Sequence, residues 1–310
     1  MTSIRIARPD ELPALVEYPG DDERNAATRE YLVRLLDGKC TRPEWCLVAE
    51  GGDGRLIGSA VLWTIPGHEV PLAVVLFEAP AESPETGIAL LDAAAAKAGE
   101  SGANELEHVV DSPAQAPQFQ RDPGRRGELL RQAGFQVVRD GRRFRLQVPE
   151  ELPADDPRLS FRSLADLGRE PFIDVLQELL ADTADARLAA DVERHGLRRA
   201  AELLFEETGE LRHEPEWWEI GYDADGTPAV VSLPAESPSV PVIGFVGVAP
   251  AHRGKGYATS VVVRGTRVLG ANGATEIRGD CDAANEAMAR AFRRAGYENF
   301  AARLEFSRTL

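Results

Sequence analysis

The spacing of apolar residues predicts alternating helices and strands in the second half of the chain. Apolar positions recur every three or four residues after a short strand near Phe161, which indicates amphipathic helices. Asp-Gly turn residues then separate two β-rich segments and predict an antiparallel hairpin. The predicted order is a strand near Phe161, helices at 170–184 and 185–207, strands at 217–222, 228–233 and 241–248, a helix at 257–269, a strand at 276–281, a helix at 286–295 and a strand at 302–306.

The two halves of the chain also resemble each other. Glu105 and Glu276 begin similar strand segments 171 residues apart, whereas Gly134 and Gly296 end similar helices 162 residues apart. An insertion at 111–124, rich in Pro, Gln and Asp, accounts for this difference as a surface loop. Residues 148–160 are rich in Pro and acidic residues and are interpreted as a linker. We therefore predict two duplicated α+β domains, at 1–150 and 158–310.

Composition narrows the classes of partner. The chain has 51 Asp and Glu against 35 Lys and Arg, a formal net charge of -16, which argues against nucleic acid and anionic membranes. An acidic surface suits a cationic partner such as an amine, but the favoured interpretation of the charge is that it keeps the protein in solution. The three cysteines (Cys40, Cys46 and Cys281) show no paired spacing, so neither a disulfide framework nor a metal site is expected. With no signal peptide or membrane-length apolar run, we expect a cytoplasmic protein.

One glycine-rich segment carries candidate chemistry. It reads GFVGVAPAHRGKGYA at 244–258, an apolar strand that runs into a basic turn suited to an anion. A Walker loop is excluded because Ala249 stands at its first glycine and Gly256 follows the Lys. A dinucleotide fingerprint is excluded because Thr259 stands where Gly or Ala is required.

The segment RGKGYA matches the pattern [Gln/Arg]-x-x-Gly-x-[Gly/Ala] and resembles the GNAT superfamily of N-acetyltransferases. The preceding VGVAP and the downstream NEAMARAFRRAGY are similar to that family as well. The resemblance implies two tandem GNAT-like domains, each a mixed, mostly antiparallel sheet flanked by helices. It implies acetyl-CoA as co-substrate, contacted by Val246, Gly247, Val248, Arg253, Gly254, Lys255, Gly256, Tyr257, Ala258 and Asn285. For Asn285, a helix N-cap is an equally good interpretation.

The first copy lacks this turn. With the offset of 171, its equivalent is ESPETG at 82–87, where Glu85 replaces Gly256 and Pro84 has no N–H. Carboxylates there would repel a pyrophosphate. We expect the first domain to keep the fold without the cofactor site.

Candidates for the catalytic base are Glu219, Tyr222, Asp280 and Asp282, each of which could instead be an exposed or capping residue. A water-mediated base is a further alternative. The family pattern often places a Tyr, as acid for the leaving thiolate, where this chain has Phe292.

The sequence therefore predicts an acetyl-CoA-dependent N-acetyltransferase that acts on a primary amine of a small molecule or peptide, as a monomer or homodimer. The alternative is a non-catalytic acyl-CoA-binding regulatory or sensor protein, which Phe292 and the lack of an obvious base favour.

Overall fold

A computed structural model of the chain describes residues 2–15, 17, 20–237 and 240–310. The chain divides into two units. Unit 1 consists of Met1–Val138 and Arg303–Leu310, and unit 2 consists of Arg139–Ala302. No described helix has the length and apolar character needed to cross a membrane.

Unit 1 has a sheet in which strands β1 to β5 lie in chain order. Strands β1 to β4 pair antiparallel, and β4 and β5 pair parallel. Residues 303–309 of the last strand follow β5 in this sheet. The elements are β1 (Ser3–Ile6), α1 (Asp22–Asp37), β2 (Cys46–Glu50), β3 (Leu56–Trp63), β4 (Ala73–Glu78), α2 (Pro84–Glu100), β5 (Glu105–Ser112) and α3 (Pro123–Gln132), followed by the start of β6 (Gln136–Gln147).

Unit 2 has a sheet in the order β6-β11-β10-β9-β8-β7. All neighbours pair antiparallel except β10 and β11, which are parallel. Its further elements are β7 (Ser160–Ser163), α4 (Leu164–Leu167), α5 (Arg169–Leu180), α6 (Ala186–His195), α7 (Leu197–Gly209), β8 (Glu219–Tyr222), β9 (Pro228–Glu236), β10 (Pro241–Val248), α8 (Tyr257–Ala271), β11 (Glu276–Asp282), α9 (Glu286–Arg294) and the start of β12 (Glu298–Thr309).

The element order of the second half agrees with the sequence prediction, except in its helices. The helix expected at 185–207 is two helices, α6 and α7, because Gly196 between them has a φ of 79°. That left-handed conformation suits glycine and ends α6.

The internal repeat is visible in the backbone of each unit. Glu105 begins β5 and Glu276 begins β11. Gly134 after α3 and Gly296 after α9 have φ values of 83° and 92°, so both helices end at a glycine in the same conformation. The α+β repeat predicted from the sequence is therefore present in the structure.

Each unit has its own hydrophobic core. In unit 2, Trp218 is fully buried and donates its indole N–H to the Pro234 carbonyl at 3.1 Å, and Phe144 stacks on Phe292 with ring centroids 4.9 Å apart. In unit 1, Phe135 and Phe306 are buried in one apolar cluster. Residues close to the C-terminus thus complete the core of unit 1. The division into domains at 1–150 and 158–310 stays a prediction.

We expect Phe306→Ala to lower the free energy of unfolding by about 3–5 kcal/mol, because it leaves a cavity in the core of unit 1. Leu310→Ala is the matched control at the same terminus. Leu310 is 40% exposed, so its truncation should change the free energy by less than about 0.5 kcal/mol. Urea denaturation measures both. Equal effects would contradict the role of Phe306.

Candidate functional site

A cavity opens in unit 2 where β10 and β11 diverge. These parallel strands have one register pair, Val242 with Arg278. Beyond this pair, the space between the two strands is part of a cavity of about 640 Å³. The walls of the cavity come from β10, β11, α6, α7, α9 and the turn at 253–258. A cavity of this size is in the usual range for a small-molecule or cofactor site.

The turn at 253–258, hereafter the glycine turn, presents the open start of α8 to this cavity. Gly254 and Gly256 have φ values of 78° and 86°, a conformation that other L-residues adopt only with strain. Gly256 is the N-cap of α8, so no side chain caps the helix, and its first turn has no acidic residue. The N–H groups and partial positive charge of the helix start are therefore available to an anion.

The structure brings most of the predicted cofactor residues together. Of the ten, all except Lys255 line the cavity. Arg253 is held by Asp182, with Nη1 2.5 Å from Oδ2. Asn285 accepts the N–H of Met288 at 3.0 Å, so it does cap α9, and it lines the cavity as well. Their binding of a cofactor stays a prediction.

The glycine turn is supported by the segment that the sequence analysis interpreted as a linker. Arg158 donates from Nη1 to the Lys255 carbonyl at 3.1 Å, and its guanidinium lies 4.7 Å from the centroid of the Tyr257 ring. Asp156 accepts two hydrogen bonds from the Arg158 guanidinium, one from the Arg158 backbone N–H at 3.1 Å and one from Ser260 at 2.7 Å. The hydrogen bond from Arg158 is the main reason that the pKa of Asp156 lies well below its usual value. No sequence signal indicated this support.

A buried histidine ties the same turn to the β8–β9 hairpin. His252 Nε2 lies 2.8 Å from Asp223 Oδ2, and its side chain is only 6% exposed. This hydrogen bond is the main cause of a lowered pKa of Asp223. The pair fixes the residue that immediately precedes Arg253.

Two of the four predicted catalytic residues line the cavity. Asp280 bonds Arg139 at 3.0 Å, and Asp282 is buried and accepts N–H groups of Ala284 at 2.8 Å and Ala186 at 3.2 Å. Both carboxylates thus already have partners, and those of Asp282 give it a structural role in holding the start of α6.

The other two, Glu219 and Tyr222, do not line the cavity. Both lie on β8, and β9 separates that strand from β10. Glu219 forms two 2.7 Å hydrogen bonds with Arg264, while the half-buried Tyr222 packs against the core.

Sequence analysis missed four acidic cavity residues. Asp182 and Asp185 bond Arg253 and Arg139, and the other two are Asp191 on α6 and Glu207 on α7. Arg187, which also lines the cavity, interacts electrostatically with Glu207. Desolvation raises the pKa of Glu207, Arg187 opposes the shift, and Asp191 adds to it. A group that holds its proton more tightly than usual suits proton transfer near neutral pH. Helical periodicity alone gave no reason to single them out.

In unit 1, charged side chains lie at the positions equivalent to the glycine turn and to the end of β10. Glu85, the counterpart of Gly256, accepts a 2.6 Å hydrogen bond from Ser83, which is the main cause of its lowered pKa, and also bonds its own backbone N–H. At the counterpart of Val248, the Phe77 carbonyl accepts a hydrogen bond from buried Arg126. A carboxylate thus lies at the start of α2 and a guanidinium at the end of β4.

Comparison with known proteins agrees with this geometry. Residues 188–297 match the sequence model described as "Acetyltransferase (GNAT) family". Unit 2 therefore contains a GNAT domain. A search of curated protein sequences finds no match.

Solved structures resemble the chain over nearly its whole length. A GCN5-related N-acetyltransferase from Sphaerobacter thermophilus has a TM-score of 0.62 at 17% identity, covering 99% of this chain and 95% of that chain. A tandem GNAT protein from the clavulanic acid biosynthesis pathway has a TM-score of 0.50 at 14% identity, covering 100% and 98%. These identities establish likeness of fold alone. They confirm the predicted α+β fold of two tandem GNAT-like domains.

The GNAT family transfers acetyl groups from acyl-CoA, and this chemistry raises the question of a thiol nucleophile in the cavity. Cys281 lines the cavity but is buried, and burial raises its pKa to about 12. Burial likewise raises the pKa of Cys46 to about 12. Neither thiol forms appreciable thiolate at neutral pH, so an acetyl-cysteine intermediate is disfavoured.

We expect one accessible thiol in the native protein at pH 8, Cys40, and three in denaturant. Burial raises the pKa of Cys40 as well, so it should react more slowly than a free cysteine. The thiolate fraction of the two buried cysteines should rise only as pH approaches 12. Titration with a chromogenic disulfide reagent measures this, and Cys40→Ser should abolish the native signal. Rapid reaction of a second native thiol would contradict the burial argument.

Proposed function

We propose that unit 2 binds acetyl-CoA and transfers its acetyl group to a primary amine of a small molecule or peptide. The observation that carries the proposal is the uncapped start of α8, which meets the same cavity as the unpaired edge of β10. A diphosphate fits the glycine turn because helix N–H groups and the helix dipole stabilise anions. The free cysteines and acidic composition are consistent with the cytoplasm and a cationic acceptor.

The pantetheine arm of the cofactor would extend along β10. Residues 246–248 pair with β9 on one side and line the cavity on the other. An extended chain with amide groups can complete such an edge by hydrogen bonding, like an added strand. Gly247 leaves room for α5 beneath this strand, since a Cβ there would lie 2.6 Å from Leu179.

The acceptor amine would lie beside Asp191 and Glu207. Two neighbouring carboxylates favour a cationic ligand, and the raised pKa of Glu207 makes it a better proton acceptor than Asp280, which is bonded to Arg139. In the reaction, Glu207 takes a proton from the ammonium group, and the neutral amine nitrogen bonds to the thioester carbonyl carbon. The carbon–sulfur bond then breaks, the CoA thiolate leaves with the bonding electrons, and the nitrogen releases its second proton to the departing thiolate, which gives the neutral amide and CoA thiol.

The residue at the family's Tyr position supplies no acid for this thiolate. Phe292 is 1% exposed and stacks on Phe144. A thiolate of ordinary pKa leaves without protonation by the enzyme, so transfer does not require a Tyr.

Phe292 also favours the second candidate function, a non-catalytic acyl-CoA-binding regulatory or sensor protein. A thiol-release assay with acetyl-CoA and a panel of primary amines separates the two. Release that depends on an amine supports the enzyme. Saturable acetyl-CoA binding without thiol release for any amine would contradict the enzyme and support the sensor protein.

We expect Gly256→Glu to weaken acetyl-CoA binding by at least about 100-fold, because a carboxylate would lie at the diphosphate position, as Glu85 does in unit 1. Gly273→Glu is the control for backbone strain. Gly273 has a φ of 90° in open space at the far end of α8, and its substitution should leave binding unchanged. Calorimetry measures both variants.

The wild type should bind one acetyl-CoA per chain, since unit 1 fills its own site. Because unit 1 includes Arg303–Leu310, stoichiometry is measured on the full chain rather than on a fragment. A stoichiometry near two would overturn the assignment for unit 1. Unchanged affinity of Gly256→Glu would overturn the site in unit 2.

We expect Glu207→Gln to lower kcat/KM for the amine by about 100-fold, the usual scale of general base catalysis. Wild-type kcat/KM should fall as pH drops through the raised pKa of Glu207, since the protonated carboxyl cannot accept a proton. The variant should lose this limb of the pH profile. Glu206→Gln, the adjacent position on α7, is the matched control, because its carboxylate bonds Arg169 and lies outside the cavity lining. An unchanged profile in Glu207→Gln would exclude Glu207 as the base.

A further inference from the structure

Two arginines on the cavity side of α9 have no role in the site described so far. Arg290 and Arg294 are four residues apart and therefore share one face of the helix. Both are exposed and both line the cavity. Ala287 and Ala291 line the cavity on the same helix. Their side chains are small, so this wall leaves space in front of the two guanidinium groups.

Other arginines in the cavity wall are neutralised by carboxylates. Arg253 is paired with Asp182, and Arg139 with Asp185 and Asp280. Within the described ranges, Arg290 and Arg294 form no hydrogen bond or ion pair.

One acid that interacts with Arg290 is on the same helix. Glu286 interacts with Arg290 electrostatically, but its carboxylate is hydrogen-bonded by Arg142 at 2.5 Å. Two guanidinium groups thus face the cavity with little compensation. Arginine suits phosphate because its planar fork donates two parallel hydrogen bonds.

Charge is distributed unequally around the cavity. The wall from α6 and α7 carries the two carboxylates of Asp191 and Glu207 beside one arginine, Arg187, whereas the lining from α9 carries two arginines and no carboxylate. A ligand with anionic groups is favoured at the second wall and disfavoured at the first. Because α9 packs against α8, whose start forms the glycine turn, the wall with the two arginines adjoins the helix that presents the diphosphate position, and both line the same cavity.

Building on the proposed function, we propose that Arg290 and Arg294 bind the 3′-phosphate of acetyl-CoA. Coenzyme A carries this phosphomonoester in addition to its diphosphate, and the glycine turn accounts for the diphosphate alone. The site then selects the 3′-phosphorylated cofactor over its dephosphorylated form. An acceptor carboxylate is the other anion of similar chemistry, and it is distinguished by its effect on the acceptor KM.

The test measures the affinity of acetyl-CoA and of 3′-dephospho-acetyl-CoA at one fixed ionic strength, because salt screens such contacts. Wild-type protein should bind acetyl-CoA about 100-fold more tightly, roughly tenfold for each charged hydrogen-bonding partner. Arg290→Gln and Arg294→Gln should each weaken acetyl-CoA binding about tenfold and leave the dephosphorylated form unchanged. Arg293→Gln is the control, since Arg293 is exposed on α9, lies over Phe144 and does not line the cavity.

Several outcomes would overturn the proposal. Equal wild-type affinity for the two cofactors excludes the subsite while leaving acetyl-CoA binding in place. Equal weakening of both cofactors in the variants indicates a general electrostatic or structural effect. A rise in the acceptor KM alone assigns the arginines to the acceptor. If neither cofactor binds, the proposed function fails and the subsite fails with it.

Discussion

The divergence of two parallel strands is the constraint on which the candidate site depends. Beyond Val242 and Arg278, β10 and β11 no longer share register pairs, although backbone polar groups in a protein interior require partners. An open edge inside a domain is costly unless water or a ligand completes it. The open edge, the glycine turn at its end and the cavity beside it are therefore parts of one arrangement. It suits an extended ligand that combines amide groups with a terminal anion.

Unit 1 shows how the same fold can satisfy this constraint without a ligand. Its strands β4 and β5 are also parallel and also share a single register pair, Ala73 with Glu107. There, Arg126 hydrogen-bonds the Phe77 carbonyl, and Glu85 provides the negative charge at the helix start. The duplicated fold thus leads to opposite electrostatic outcomes. In unit 2 the positive helix start is left for a ligand, whereas in unit 1 a side chain of the same segment neutralises it.

The glycine turn also depends on residues that are distant along the chain. Arg158 supports it from the segment before β7, and Asp223 supports it from the β8–β9 hairpin through His252. Two glycines with positive φ give the turn its shape, but glycine adds backbone freedom that must be restrained. Hydrogen bonds from two separate segments provide that restraint. They hold the N–H groups of the helix start in place before a ligand arrives, which lowers the entropic cost of binding.

The sequence alone determined the α+β class, the repeat and the glycine turn, because hydrophobic periodicity and glycine spacing are local properties of the chain. It predicted one helix at 185–207 where Gly196 separates two, since a single glycine does not interrupt the apolar pattern. Tertiary structure decided which charged residues share the cavity. Glu219 lies away from it because β9 intervenes, whereas Asp191, Glu207 and Arg294 meet there from three separate helices. Such proximity depends on strand order and helix packing, which no local pattern of residues specifies.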